Sequence, residues 1–157
     1  MDEIHLQHLR RAIEVARRAR ERGNHPFGAI LVDEDNRVLL EAENTINSTR
    51  DCTAHAETNL MRQASQQFDR ATLRQCTLYT STEPCAMCAG AIHWGGVGRV
   101  VFALSEASLY DMIGSHFENE TMQLPCREVF ARSGRQVEVI GPLIEDEAKI
   151  VHTGFWA

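Results

Sequence analysis

Two short segments of the chain carry side chains that can bind a metal ion and move protons. The first is His55-Ala56-Glu57 and the second is Pro84-Cys85-Ala86-Met87-Cys88. Each opens a segment predicted to be helical, where backbone N–H groups and the helix dipole favour ionised thiols. One imidazole and two thiolates are good zinc ligands, and a set of three leaves the fourth position to water, as in catalytic sites. We therefore expect zinc (Zn²⁺) on His55, Cys85 and Cys88.

Glu57 is the residue suited to proton transfer at that zinc. It lies two positions after His55, so at a helix start its carboxylate can face a zinc-activated water without binding the metal. Zinc lowers the pKa of water toward about 7, and a nearby glutamate can take the proton and return it to a leaving amine. His-x-Glu followed by Pro-Cys-x-x-Cys is the signature of zinc deaminases. The pattern thus indicates hydrolytic removal of an amino group.

Each motif alone has a simpler interpretation. A lone Cys-x-x-Cys is often a redox pair and a lone His-x-Glu occurs by chance, but the two in this order are specific. The unpaired cysteines and two further histidines are interpreted as ordinary core or surface residues; they are Cys52, Cys76, Cys126, His93 and His152. A non-catalytic, zinc-stabilised interaction domain is a more distant alternative.

Composition favours one domain with a small-molecule substrate. The 157 residues, 43% of them hydrophobic, are enough for a single domain over 1–157 with a buried core. The net charge of -6 repels polyanions, so nucleic acid is a less favoured partner. An odd cysteine number, no secretory signal and no membrane-length apolar run predict a cytoplasmic protein with no membrane partner.

The elements that position the two motifs alternate between helix and strand. An amphipathic first helix ends at Gly23-Asn24, its arginines interpreted as a solvated face. A polar loop is predicted over 44–53, and the pattern weakens after Leu104. The other predicted elements are a hairpin (27–32 and 37–42), helices over 53–66, 84–94, 128–132 and 143–152, and strands over 77–81, 98–103 and 136–140. This order predicts an α/β layered domain with a mixed sheet.

From Phe27 to Ala103 the chain resembles the cytidine deaminase superfamily, in particular the branch of guanine, cytosine and tRNA adenosine deaminases. The resemblance rests on segments 26–29, 53–57, 78–88 and 89–92 and on Asn44. It implies a three-layer α/β fold with a mixed five-stranded sheet flanked by helices, a bound zinc and a homodimer. It also matches His55, Cys85 and Cys88 to the zinc ligands and Glu57 to the proton shuttle.

The same resemblance assigns substrate contacts. It implies that Asn44 hydrogen-bonds the substrate ring and that backbone N–H groups near Ala56 and Cys85 also meet the substrate. Phe27 matches an aromatic residue of the pocket wall in guanine deaminases, and a strand core residue is the equally weighted alternative.

The C-terminal third bears on substrate choice. Past Val100, nine acidic residues face four basic ones, whereas the tRNA enzymes present a basic C-terminal helix there. Phe155 and Trp156 are similar to the aromatic tails that close over small bases, with plain packing of the last helix as the alternative. Asp111 and His116 are candidates, with Glu118, for reading an exocyclic group. We predict a deaminase of a free nucleobase or nucleoside, guanine-type ahead of cytosine-type, with tRNA adenosine deaminase as the alternative.

Overall fold

Five strands form one mixed sheet at the centre of the computed structural model, which describes residues 2–114 and 120–156. The strands are β1 (Gly28–Val32), β2 (Val38–Glu43), β3 (Thr77–Thr82), β4 (Arg99–Leu104) and β5 (Glu138–Ile140). Their order is β2-β1-β3-β4-β5. Strand β1 is antiparallel to β2 and β3, and β4 is parallel to both β3 and β5. The mixed five-stranded sheet is confirmed.

Helices cover both faces of this sheet. They are α1 (Glu3–Glu21), α2 (Ile46–Thr49), α3 (Ala56–Gln67), α4 (Arg70–Arg74), α5 (Ala86–Gly95), α6 (Glu106–Ile113), α7 (Cys126–Ala131) and α8 (Glu145–Ile150). Buried side chains of α1, α6 and α8 pack on one face, and those of α3, α5 and α7 on the other. The three-layer α/β prediction is therefore confirmed. No helix within the described ranges is both long and apolar enough to cross a membrane.

The alternation of side chains along β1 divides the core in two. Ala29 and Leu31 belong to the cluster under α3 and α5, whereas Ile30 and Val32 belong to the cluster under α1. Gly28 lets α1 approach the sheet closely, because a β-carbon there would lie 2.5 Å from both the Ala12 carbonyl oxygen and the Ala16 nitrogen. The backbone of α1 therefore packs directly against β1.

The two metal-binding motifs begin two helices that pack against each other. His55 is the N-cap residue of α3 and Cys85 is the N-cap residue of α5. Helix α5 follows β3 directly, whereas α3 follows β2 through a loop that contains α2. The helix starts predicted for both motifs are confirmed, and the packing of α3 on α5 brings the two N-termini together.

Three short helices lie where the sequence predicted loops or no regular structure. Helix α4 begins at Asp69, whose side chain accepts from the backbone N–H of Thr72. Helix α6 begins at Ser105, whose hydroxyl accepts from the N–H of Ser108. Helix α2 is a single turn that follows Thr45. Side-chain caps begin α4 and α6, whereas Thr45 makes no such hydrogen bond to α2 within the described residues. All three helices are too short to show an apolar period of 3.6 residues clearly.

Candidate active site

His55, Cys85 and Cys88 form a set of ligands of the right size for zinc. Their ligand atoms all lie within 4.8 Å of one another. The His55 Nδ1 atom is 3.4 Å from the Cys85 sulfur and 3.6 Å from the Cys88 sulfur. Tetrahedral zinc with Zn–S of about 2.3 Å and Zn–N of about 2.0–2.1 Å separates nitrogen from sulfur by about 3.5 Å. The three residues fit zinc, with Nδ1 as the histidine ligand.

The surroundings of the two thiols differ. Hydrogen bonding with Cys88 and His55 lowers the pKa of the Cys85 thiol to about 4. For Cys88, the hydrogen bond with Cys85 and the burial of the side chain raise the pKa of the thiol well above its ordinary value. The Thr58 hydroxyl lies 3.1 Å from the Cys88 sulfur, one helical turn into α3. Such contacts orient metal ligands, and a metal ion deprotonates a coordinating thiol outright.

Glu57 lies in the first turn of α3 with its side chain in the cavity beside the ligand set. The residue is 6% exposed. Burial, with the nearby Cys85 charge as the second cause, raises the pKa of the Glu57 carboxyl to about 7. A carboxyl that titrates near neutral pH suits a group that must both accept and release a proton. The Glu57 carboxyl thus lies beside the residues that fit zinc, where the sequence analysis expects a proton shuttle.

Asn44 is a buried residue with a polar side-chain amide. Its side-chain oxygen accepts from the N–H of Ile46 at 3.0 Å, while its buried Nδ2 atom has no hydrogen-bond partner among the described residues. Asn59 of α3 holds the flanks of this position by donating to the carbonyl of Glu43 and the hydroxyl of Thr45. Buried amides normally find partners, so Asn44 leaves a donor for a molecule in the cavity.

A cavity of about 320 Å³ connects these groups. His55, Glu57 and Cys85 lie on its wall together with Asn44 and Phe27. Thr82, whose hydroxyl is buried without a partner in the described part of the chain, also lines it. The volume is at the low end of the range for small-molecule sites. With Trp156, six of the predicted site residues thus share one small cavity. The buried Ala56 lies between His55 and Glu57 at the first helical position of α3.

The C-terminal tail contributes Trp156 to the cavity wall. Its Nε1–H donates to Nδ1 of His152 at 3.1 Å, and the two rings stack with a 17° interplanar angle. Arg20 of α1 anchors the same segment by donating to the carbonyls of Val151 and Thr153. Phe155 packs under the Arg20 guanidinium and does not line the cavity. The two aromatic residues that the sequence treated as a pair therefore have different positions.

Two other predicted substrate contacts have different outcomes. Asp111 is exposed on α6 and is absent from the cavity wall, so the structure does not place it where it was expected. Helix α6 instead turns Glu106, Leu109 and Tyr110 toward the cavity, because these positions lie on its inner face. His116 lies outside the described residues, as does Glu118.

Sequence reasoning missed several polar residues on the cavity wall, among them His25, Glu83, Glu106 and Tyr110. Glu83 precedes the Pro-Cys motif, and its carboxylate accepts from the N–H groups of Glu106 and Cys126 at 2.9 Å each. It thereby fixes the first residues of α6 and α7. The Glu-Pro-Cys sequence was a usable signal for Glu83, whereas Glu106 and Tyr110 lay in a segment without any clear pattern.

Comparison with known proteins connects this geometry to a family. Residues 2–104 match the family described as the cytidine and deoxycytidylate deaminase zinc-binding region. A probable cytosine deaminase of Schizosaccharomyces pombe is 44% identical over 156 residues, which are 99% of this chain and 94% of the relative. A guanine deaminase of Bacillus subtilis is 39% identical over 100 residues, 63% of this chain and 64% of that protein.

A solved structure from work on A-to-I editing by tRNA:A34 deaminases is similar to this fold. The TM-score is 0.74 at 28% identity, over 93% of this chain and 99% of the other. The matched family region contains all three ligands that fit zinc and the buried glutamate beside them. This chain therefore belongs to the cytidine and deoxycytidylate deaminase family and carries its zinc-binding region.

Proposed function

We propose that the protein hydrolyses the exocyclic amino group of a free nucleobase or nucleoside and releases ammonia. The observation that carries this proposal is the buried donor of Asn44, which has no partner among the described residues and lies on the same cavity of about 320 Å³ as Glu57, His55 and Cys85. A planar base with a carbonyl oxygen or ring nitrogen can accept from Asn44 while its amino-bearing carbon faces the metal ligands.

Each side chain has a defined part in the proposed reaction. His55, Cys85 and Cys88 would hold the zinc ion, which when bound would supply the Lewis acidity that makes water reactive near neutral pH. Glu57 takes one proton from the attacking water and delivers it to the nitrogen that leaves as ammonia. The Asn44 amide orients the ring, and the burial of Glu57 keeps its pKa close to the pH at which both transfers occur.

We also propose that Trp156 acts as a cover over the bound base. Trp156 and Phe27 line the cavity together, with ring centroids 6.2 Å apart, and both contact the ring of His25. Flat aromatic walls hold a flat base and exclude water. Deletion of residues 154–157 tests the proposal: zinc content and melting temperature should persist while turnover collapses. A truncated protein that loses a few kcal/mol of stability with proportionate activity would assign the tail to the core instead.

A small substrate is favoured over tRNA by the charges of α1. Four of its five arginines form ion pairs with acidic residues, including Arg10 with Glu147 and Arg18 with Glu41, and Arg20 donates to backbone carbonyls. Phosphate binding requires free cationic groups and weakens steeply with salt. We therefore propose a free base or nucleoside, and we keep tRNA adenosine deamination as the alternative because tRNA-specific relatives also match the chain.

Among small substrates, cytosine-type bases now stand ahead of guanine-type ones. The sequence reasoning favoured guanine, but the probable cytosine deaminase matches 99% of this chain, including the tail that lines the cavity. The guanine deaminase of Bacillus subtilis matches 63% of it. A match that extends through the cover residue supports a shared substrate type more strongly than one that does not.

A substrate panel tests these proposals. Cytosine, guanine, adenine, their nucleosides and one anticodon stem-loop RNA are assayed for ammonia at two salt concentrations, with Glu57→Gln as the inactive control. We expect release from a free base or nucleoside that hardly changes with salt. Release from the stem-loop RNA alone, falling steeply with salt, would support the tRNA alternative. No release from any substrate by a zinc-loaded protein would reject the deaminase proposal.

We further propose that the protein forms a homodimer through the outer face of α5. This helix is apolar on both faces: Cys88, Ala89 and Ile92 are buried, while Met87 and Trp94 are 38% and 75% exposed. A helix that is apolar all round is normally buried on all sides, so the outer face requires a partner, and we assign it a second copy of the chain.

Sedimentation analysis of two variants tests the dimer. Trp94→Arg is expected to yield monomers, because it places a charge in the proposed interface. The matched control is Ile150→Arg, which replaces a similarly exposed apolar residue on α8. A monomeric wild type, or a Trp94→Arg variant that dimerises as the wild type does, contradicts the assignment.

A further inference from the structure

Glu106 is a carboxyl group on the cavity wall that the deamination steps do not use. It is the first residue of α6 and is 5% exposed. The Tyr110 hydroxyl, one turn further along α6, donates to its Oε1 atom at 2.9 Å and also lies 3.0 Å from the Met122 carbonyl oxygen. Tyr110 lines the cavity as well. The carboxyl is thus held in one orientation at the edge of the site.

The position of Glu106 at a helix start does not by itself explain its carboxyl group. The N–H groups at the start of α6 have other acceptors: Ser108 donates to the Ser105 hydroxyl, Glu106 to Glu83, and Ser105 to Glu145. These three N–H groups are therefore satisfied without the Glu106 side chain. Burial raises the pKa of this carboxyl, which reflects the cost of withdrawing it from water.

With the Tyr110 hydroxyl bound to it, the Glu106 carboxyl group can still accept further hydrogen bonds. A carboxylate has two oxygens with about four acceptor positions in total; the Tyr110 hydroxyl occupies one of them and the backbone N–H of Leu124 a second. The cavity therefore presents two complementary polar groups, a donor on Asn44 and an acceptor on Glu106. Aminated bases carry a carbonyl oxygen or ring nitrogen that accepts, and many carry a second N–H group besides the amino group that is removed.

We propose that Glu106 determines specificity by accepting a hydrogen bond from a second N–H group of the base. This inference rests on the proposed function and names the substrate class within it. The preferred substrates are aminated bases with a free ring N–H, and analogues with that nitrogen alkylated, nucleosides among them where the sugar occupies it, are poor substrates. Leaving a buried charged acceptor without its donor is what rejects the analogue.

Matched pairs of bases test the inference. Cytosine is compared with 1-methylcytosine, and guanine with 9-methylguanine, by kcat and KM in the wild type and in Glu106→Gln. We expect the wild type to prefer the unmethylated base at least tenfold in kcat/KM. In Glu106→Gln, kcat/KM for that base should fall about ten- to hundredfold, mainly through KM, with little change for the methylated analogue. Glu106→Gln is therefore expected to lose the preference for the unmethylated base.

Two further variants separate recognition from structure. Glu106→Asp keeps a negative charge at the helix start but withdraws the carboxyl group, so it should also lose discrimination. Glu128→Gln, on the exposed face of α7, is the matched control and should behave as the wild type. Wild-type discrimination in Glu106→Asp or Glu106→Gln overturns the inference while leaving the deaminase proposal intact. A wild type that deaminates no base overturns both.

Discussion

Acidification should destabilise this protein through one buried histidine, His152. The residue is 2% exposed, and its Nδ1 atom accepts the indole N–H of Trp156. Its buried Nε2 atom has no hydrogen-bond partner within residues 2–114 and 120–156. Burial, with the positive charge of Arg20 as the second cause, lowers the pKa of His152 from 6.5 to about 4. The native state therefore requires a neutral ring.

The sign and size of the effect follow from this lowered pKa. In the unfolded chain the imidazole titrates near 6.5, so as the pH falls the unfolded state binds a proton first. The stabilising contribution is complete above pH 6.5 and is lost as the pH falls toward 4. A shift of this size corresponds to about 3 kcal/mol in the free energy of unfolding, of which about 2 kcal/mol is lost by pH 5.

Urea unfolding of the wild type and His152→Gln at several pH values between 4 and 7 measures this contribution. Glutamine keeps an acceptor for Trp156 but does not titrate. The metal ligands and Arg20 are the same in both proteins, so the difference between the two curves isolates the histidine. We expect the wild type to lose about 2 kcal/mol relative to the variant between pH 7 and pH 5. Parallel curves over this range would refute the assignment of a neutral, buried His152.

Three other changes test the site and the fold. Glu57→Gln should retain zinc and melting temperature but lose about a hundredfold to ten-thousandfold in kcat, measured as ammonia release; loss of zinc would make the carboxylate a ligand. Cys88→Ala should lose zinc and activity, because two ligands remain, and full zinc content by metal analysis contradicts the ligand set. Gly28→Ala should lower the free energy of unfolding by about 1–3 kcal/mol, since its methyl group meets the backbone of α1; an unchanged urea midpoint would contradict that close packing.

The metal ligands were predictable because their geometry is local. Cys85 and Cys88 are three residues apart at the start of one helix, so helical spacing alone places both sulfurs on the same side. His55 requires one long-range step, the packing of α3 on α5, and the apolar content of both helices supplies it. The α/β class and the mixed sheet also follow from a hairpin succeeded by alternating helices and strands, whereas the order of the strands was not predicted. These parts of the molecule are determined by short-range pattern and common topology.

The cavity wall around helix α6 was less predictable because it depends on tertiary contacts of polar residues. The direction of α6 is set by hydrogen bonds from its first residues to Glu83 and Glu145, which are 23 and 40 positions away from their partners. A change of one position in where α6 begins rotates its inner face by about 100°. Asp111 was therefore a reasonable candidate from sequence, although Glu106 and Tyr110 are the residues that reach the cavity.

Glu83 shows how one side chain connects the metal-binding motif to the substrate wall. It lies between the end of β3 and Cys85, and its two carboxylate oxygens each accept one backbone N–H, from Glu106 and from Cys126. Because charged acceptors make strong hydrogen bonds in buried surroundings, the starts of α6 and α7 are tied to the segment that carries the zinc ligands. Cys85 and Glu106 are thereby connected through Glu83, which is two residues from Cys85 and accepts the backbone N–H of Glu106. Under the proposed function, the residues that position the amino-bearing carbon of a base would also position the acceptor of its second N–H group, so binding and reaction geometry would be set together.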